Sequence, residues 1–252
     1  MTGIERWTPA IDPREIDDLR ARLRATRWPA PPGDDVLGVA PALIRPLLER
    51  WADGFDADAH VAALQTLPGH RTEIDGTAIH FLHAPAVASP GDAARPLPLL
   101  LLHGWPDSAW RYRRVIEPLT DPQRFGRDAA DAFDLVIPDM PGFGFSEPPP
   151  GAPRDSRAVA GMWAELMTRL GYERFVVAGG DIGSHVARYL ALDHPDRVIA
   201  VHRTDGGFPA FADGAPPPTP AEREWMDEVD GGRGRLRRDA PHEARHARRR
   251  AH

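Results

Sequence analysis

The 252-residue sequence contains no cysteine and no lysine. Without cysteine there are no disulfides, thiolate metal sites or cysteine nucleophiles, and the redox compartment is left undetermined. Long apolar runs are missing as well. The longest, Leu99 to Leu102, falls far short of the ~18–20 residues that cross a bilayer, and Met1 to Trp7 lacks the basic-then-apolar pattern of a secretory signal. No membrane association and a cytoplasmic address are therefore expected. Apolar residues at 42 % and aromatics at 8 %, with 28 Pro and 23 Gly, describe instead a globular, loop-rich chain. Its length suits one large α/β domain, or one with a smaller appendage.

The net charge of −6 is unevenly spread. Residues 231–252 carry +6 and residues 1–230 carry −12. All 31 basic side chains are arginine, which reads as the mark of a GC-rich gene. An acidic body does not suggest a nucleic-acid partner.

Residues 1–70 read as a helical meander. Asp12 is placed to cap a helix with Pro13 at its first position, and Ile16, Leu19 and Leu23 then recur on one face until Trp28-Pro29. Further helical patterns cover Pro41 to Ala52 and Asp58 to Leu67, and their apolar stripes are expected to be core surface.

From His70 the period changes. Arg71 to Ile74 and Thr77 to His83 flank Asp75-Gly76, the strongest short hairpin signal, so two antiparallel strands are predicted. The continuous run Leu97 to Leu102 suits a strand buried on both faces of a parallel sheet. A helix is predicted over Ser108 to Leu119, a strand over Asp134 to Pro138, and a helix over Arg157 to Leu170, capped by Asp155 or Ser156 and ended by Gly171. A strand Phe175 to Ala178, a helix Gly183 to Leu192 and a strand Val198 to His202 follow. Strands alternating with helices at this spacing predict a doubly wound, mostly parallel α/β sheet.

Chemistry is expected at the strand ends. Gly179-Gly180-Asp181-Ile182-Gly183-Ser184 puts a carboxylate at the apex of a strand-to-helix turn between small neighbours, the layout of a nucleophile elbow. Taken alone, the turn would have Asp181 simply capping the helix. Its context argues otherwise: His103-Gly104-Trp105-Pro106 follows the buried strand, and Asp139-Met140-Pro141-Gly142-Phe143-Gly144-Phe145-Ser146 follows the next one. With these motifs the sequence resembles the epoxide hydrolase branch of the α/β-hydrolase superfamily. Arg20 to Pro29 and Arg71 to Gly76 are similar to the amino-terminal extension of its microsomal and juvenile-hormone-type members, and the resemblance covers about residues 10 to 230.

The resemblance implies an α/β-hydrolase fold and a two-step hydrolysis of a small apolar epoxide to a vicinal diol. Asp181 would attack a ring carbon while two cap tyrosines hydrogen-bond the leaving oxygen. Water activated by a His–acid pair would then attack the ester, with the oxyanion held by the backbone N–H groups of Trp105 and Ile182. His103, Gly104, Pro106, Gly179 and Gly183 would shape these loops. No metal or organic cofactor is implied. A haloalkane or haloacid dehalogenase is the alternative with an Asp elbow, but that group often carries a Trp directly after the nucleophile, where Ile182 stands here.

In the family the acid and His follow the cap, and only about 70 residues follow Asp181 here. His185, His194 and His202 read as packing or surface residues, and His242, His246 and His252 lie in the Arg-rich tail. The expected organisation is thus an extension (1–70), the nucleophile half of the core (71–214), the start of a cap (215–230) and a tail (231–252) read out of frame. Thr219-Pro220-Ala221-Glu222 forms a capping box at the cap's first helix. Back-translated and read one base later, residues 234–247 permit a string similar to the family's cap segment. A basic arm for an anionic partner is the other reading of that tail. The expectation is a chain inactive for turnover, or a non-catalytic remnant, with an oligomeric state the sequence leaves open.

Overall fold

Asp12 caps the first helix as its position next to a proline requires. Its carboxylate accepts the Arg14 N–H at 2.9 Å, and α1 runs Pro13–Arg24. A computed structural model describes residues 3–28, 39, 41–87, 96–151, 154–205 and 217–227. α2 (Pro41–Asp53) and α3 (Ala57–Gln65) follow, the latter capped by Asp56. The expected burial of the helical stripes is only partly realised. α1 has no buried residue, and on α2 Leu43 and Leu47 are more than 60 % exposed. The two helices pack against each other, with Arg24 paired to Asp53 at 2.6 Å and Arg45 stacked over Trp28, so their apolar positions are shared between a narrow mutual seam and the surface.

The hairpin forms at Asp75-Gly76, both at positive φ, and joins β2 (Gly69–Ile74) to β3 (Thr77–Ala84) in antiparallel register. A two-residue strand unseen in the sequence, β1 (Glu5–Arg6), pairs with β2. β4 (Leu97–Leu102), β5 (Phe133–Pro138), β6 (Phe175–Gly179) and β7 (Val198–Arg203) complete a seven-stranded mixed sheet of order β1-β2-β3-β5-β4-β6-β7. Pairing is antiparallel up to β3–β5 and parallel among β5, β4, β6 and β7.

The apolar run of β4 has the predicted cause. Leu100 and Leu102 face one cluster with Phe81, Val136, Trp163, Leu166 and Val186, while Leu99 and Leu101 face the other with Leu82, Leu135 and Ile137. Helix α5 (Ser156–Arg169), capped by Asp155 and stopped before Gly171 at φ 81°, supplies Trp163 and Leu166. Helix α6 (Ile182–Asp193) supplies Val186 and Leu190.

The helix predicted over Ser108 to Leu119 is broken. A 3-10 turn spans Ala109–Tyr112, and α4 covers only Ile116–Thr120. Pro118, lacking an N–H and bulky toward the preceding turn, is best accommodated in a first helical turn, and α4 starts just before it.

The chain divides into two compact units, Met1–Gly207 and Phe208–His252. In the second, the capping box forms as predicted. Glu222 Oε2 accepts the Thr219 N–H at 2.7 Å, and the helix covers residues 220–227. The tail at 231–252, with its proposed change of frame, lies outside the described residues. No described helix is long and apolar enough to cross a membrane.

Candidate active site

Three loops meet at the carboxyl ends of the parallel strands, where open α/β sheets bind ligands. The first is the turn between β6 and α6. Asp181 sits at its apex with φ 53° and ψ −126°, a conformation costly for a residue with a Cβ. It holds only because the neighbours on both sides are bare backbone. A Cβ on Gly183 would run into the carbonyl oxygens of Leu102 and His103, and one on Gly179 would strike the Gly183 backbone. The glycines flanking Asp181 thus let α6 begin directly against the end of β4.

The second loop follows β4. The Trp105 N–H donates to Asp181 Oδ1 at 2.8 Å, across the Trp105–Pro106 cis peptide. Gly104 lies so close to the Asp181 carboxylate that no side chain fits there. Although Asp181 occupies the N-cap position of α6, its side chain makes no capping bond to that helix beyond the N–H of its first residue, Ile182. The simple capping role is thereby excluded, and the carboxylate is turned toward the opposite loop.

The third loop follows β5 and holds the second in place. His103 is fully buried, its Nε2 accepting the Met140 N–H at 2.9 Å and its Nδ1 facing the Gly104 carbonyl at 2.9 Å. Acceptance at Nε2 puts the proton on Nδ1, so the ring is a neutral staple between loops. His103 is thus placed between the two loops, fully buried and away from the solvent-facing side of the site.

Asp181 is exposed, and so is Trp105, at 70 %. The carboxyl group is held below its ordinary range, first by the Trp105 N–H, then by the Ile182 N–H, with smaller contributions from His185 and Arg111. The backbone N–H groups of Trp105 and Ile182 thus come together on the Asp181 carboxylate. The sequence reading took His185 for a packing or surface residue and missed Arg111. His185 is one turn along α6, a spacing that signals proximity, but Arg111 lies 70 positions away with no local pattern to announce it. Because the folded pKa is depressed, the stabilisation Asp181 gains from these donors is fully present above the ordinary aspartate range and is lost as pH falls through the folded value. A carboxyl-carbon NMR titration is expected to show Asp181 ionising below the other exposed aspartates that lack such donors. A midpoint at or above theirs would show that the two N–H groups do not reach the carboxylate in solution.

Among the described residues, no group of three or more His, Cys, Asp or Glu is gathered that could hold a metal ion. The two histidines beyond His185 that precede the tail are placed as predicted, His194 capping the end of α6 and His202 on β7.

Comparison with known proteins agrees with this architecture. Residues 98–245 match the family model for the alpha/beta hydrolase fold, and residues 4–112 match that for the epoxide hydrolase N terminus. Epoxide hydrolase 1 of Sus scrofa is 34 % identical over 191 residues, covering 75 % of this chain and 42 % of that protein. The crystal structure of juvenile hormone epoxide hydrolase from the silkworm Bombyx mori superposes with a TM-score of 0.72 at 28 % identity, covering 81 % of this chain and 53 % of that one. The Aspergillus niger epoxide hydrolase structure gives 0.71 at 28 % identity, with 87 % and 56 % covered. The chain spans about half the length of the relatives it matches. Two family models meeting at the β4 loop, and the geometry of Asp181 beneath them, place this chain in the α/β-hydrolase fold family, on the branch that carries the epoxide hydrolase amino terminus.

Proposed function

We propose that this chain carries the ester-forming half of an epoxide hydrolase acting on a small apolar epoxide. The observation that carries the reading is the Asp181 carboxylate, ionised, exposed at a strained elbow and held through Oδ1 by the Trp105 N–H. With Oδ1 fixed, the other carboxylate oxygen attacks a ring carbon. The new C–O bond forms as the ring C–O bond breaks, and the ring oxygen leaves as an alkoxide that takes a proton from solvent. The product is a glycol monoester of Asp181.

Hydroxide attack on the ester carbonyl then puts negative charge on Oδ1, where the Trp105 and Ile182 N–H groups receive it without rearranging. Collapse expels the diol and regenerates the carboxylate. A base is needed to make that hydroxide at neutral pH. Two buried histidines, His80 and His103, approach the Asp139 carboxylate, and both are committed to holding loops.

The chain is therefore expected to form the ester faster than it hydrolyses it. Incubation with a styrene-type epoxide, followed by intact mass measurement, should show one added epoxide per chain persisting at pH 7. Absence of any adduct, or sustained diol release by the 252-residue chain, would contradict this reading.

A further inference from the structure

The Asp139 carboxylate is 1 % exposed and has no part in the chemistry above, yet it is surrounded by donors. Oδ1 accepts the Ala109 N–H at 2.6 Å. Oδ2 accepts the Phe145 N–H at 3.0 Å and faces His80 Nδ1 at 2.8 Å. Its backbone is equally engaged, the N–H donating to the His80 carbonyl at 3.0 Å and the C=O accepting the Ser146 hydroxyl at 2.8 Å. Gly144 presses so closely on the carboxylate that only a residue without Cβ fits beside it. His80 is boxed in turn by the rings of Trp7 and Phe145, with centroids at 5.1 and 5.4 Å.

The arrangement matters for where Trp105 stands. Two residues before Trp105, the His103 ring is fixed on the Met140 N–H; four residues after it, the Ala109 N–H is fixed on Asp139 Oδ1. The donor loop is thus pinned on both sides to two consecutive residues at the end of β5, while Trp105 between the pins is open to solvent. Nothing else in the loop is tied as deeply, so the aim of the Trp105 N–H depends on those anchors.

We infer that Asp139, oriented by His80, is a positioning residue that sets the Trp105 N–H for the oxyanion on Asp181. The inference rests on the proposed role of Asp181, and it selects a step. The oxyanion develops when the ester is hydrolysed, whereas ester formation consumes carboxylate charge and gains nothing from a tightly aimed donor. Asp139→Asn keeps the shape but replaces an acceptor by an NH₂ group amid donors, since the Ala109, Phe145 and His80 hydrogens all point at the carboxylate. The one remaining oxygen serves one side only, so either the Ala109 pin or the Phe145 and His80 contacts that steady the side chain must release.

The test uses the full chain and two readouts. In the first, amide hydrogen exchange at Trp105 is compared among the parent chain, Asp139→Asn and Trp163→Phe, the last perturbing a fully buried core side chain that takes no part in the hydrogen bonds pinning this loop. Exchange at Trp105 is expected to speed up at least tenfold in Asp139→Asn and to follow only the general loss of protection in Trp163→Phe. In the second, the ester is formed with a styrene-type epoxide and its decay followed at pH 9, where hydroxide is supplied by the solvent. Asp139→Asn is expected to form the ester within about threefold of the parent rate and to lose it about ten- to a hundredfold more slowly, less than the roughly 100–1000-fold loss when an oxyanion donor is removed outright.

Unchanged Trp105 exchange in a folded Asp139→Asn chain overturns the inference. So do formation and decay that slow by the same factor. If the parent chain forms no ester, the reading of Asp181 fails by itself, and the exchange measurement alone then decides whether Asp139 positions the loop.

Discussion

Asp181→Gly is expected to abolish ester formation outright while changing the stability of the fold by no more than about 1.5 kcal/mol. The two effects have separate origins. The carboxylate is the group that attacks, so its removal leaves no nucleophile at the elbow. The backbone at φ 53° and ψ −126° is costly for any residue with a Cβ, by about 1–3 kcal/mol, and glycine adopts it freely. Against that relief stand the greater freedom of glycine in the unfolded chain, about 1 kcal/mol, and the lost bond from Trp105. With about 0.5–1.5 kcal/mol for that bond, the balance lies within about 1.5 kcal/mol of zero in either direction. Urea denaturation with mass-monitored labelling measures both. A loss of 2 kcal/mol or more would mean that the elbow is not strained, and residual labelling would mean that another group is alkylated.

Gly183→Ala is expected to do the reverse, damaging the fold and, through it, the site. The added Cβ meets two carbonyl oxygens, those of Leu102 and His103, and neither belongs to a flexible side chain that could swing away. Helix α6 must therefore lift from the end of β4, and its buried face, with Val186, Ala187 and Leu190, must leave the core that Leu100, Leu102 and Trp163 share. Overpacking of this kind costs about 3 kcal/mol. The displacement also widens the gap between Trp105 and Asp181, which are carried by the two elements being separated. A lower urea midpoint together with a rise of the Asp181 pKa toward the ordinary aspartate range is the expected pair of results. A variant as stable as the parent would show that α6 does not sit as close to β4 as described.

These two substitutions mark what could be read from the residues in advance. Small neighbours around Asp181 announce the elbow because only a backbone stripped of side chains makes that turn, and the unbroken apolar run of β4 announces burial on both faces. Asp12-Pro13 and Asp75-Gly76 are local signals whose geometry is fixed within a few residues, and each forms where expected. The failures are non-local or fall where two local rules compete. Pro118 sits in a stretch whose apolar spacing is otherwise that of one helix. β1 is too short to show a period and exists because β2 offers it an edge. The stripe on α2 has the right spacing for burial, but spacing cannot say whether a partner covers it. Arg111 beside Asp181, and His80 on Asp139 across 59 positions, are brought together only by the strand order.

The same distinction holds for chemistry. The motif around Asp139 is conspicuous as a glycine-rich turn, but which donors its carboxylate meets depends on β3 lying beside β5, an antiparallel pairing within an otherwise wound sheet. The elbow that carries Asp181 was legible; the means of holding the loop that faces it was not.

The central claim, that the Asp181 carboxylate forms an ester which is cleaved at its own carbonyl, is tested most directly with heavy-oxygen water. The ester is formed with a styrene-type epoxide, excess epoxide is removed, and hydrolysis is driven to completion at pH 9 in H₂¹⁸O. The peptide containing Asp181 is then analysed by mass spectrometry. Attack at the carbonyl leaves one ¹⁸O atom in the Asp181 carboxylate and releases a diol carrying an oxygen that came from the protein. An Asp181 peptide without ¹⁸O, with the label found in the diol instead, would contradict the account.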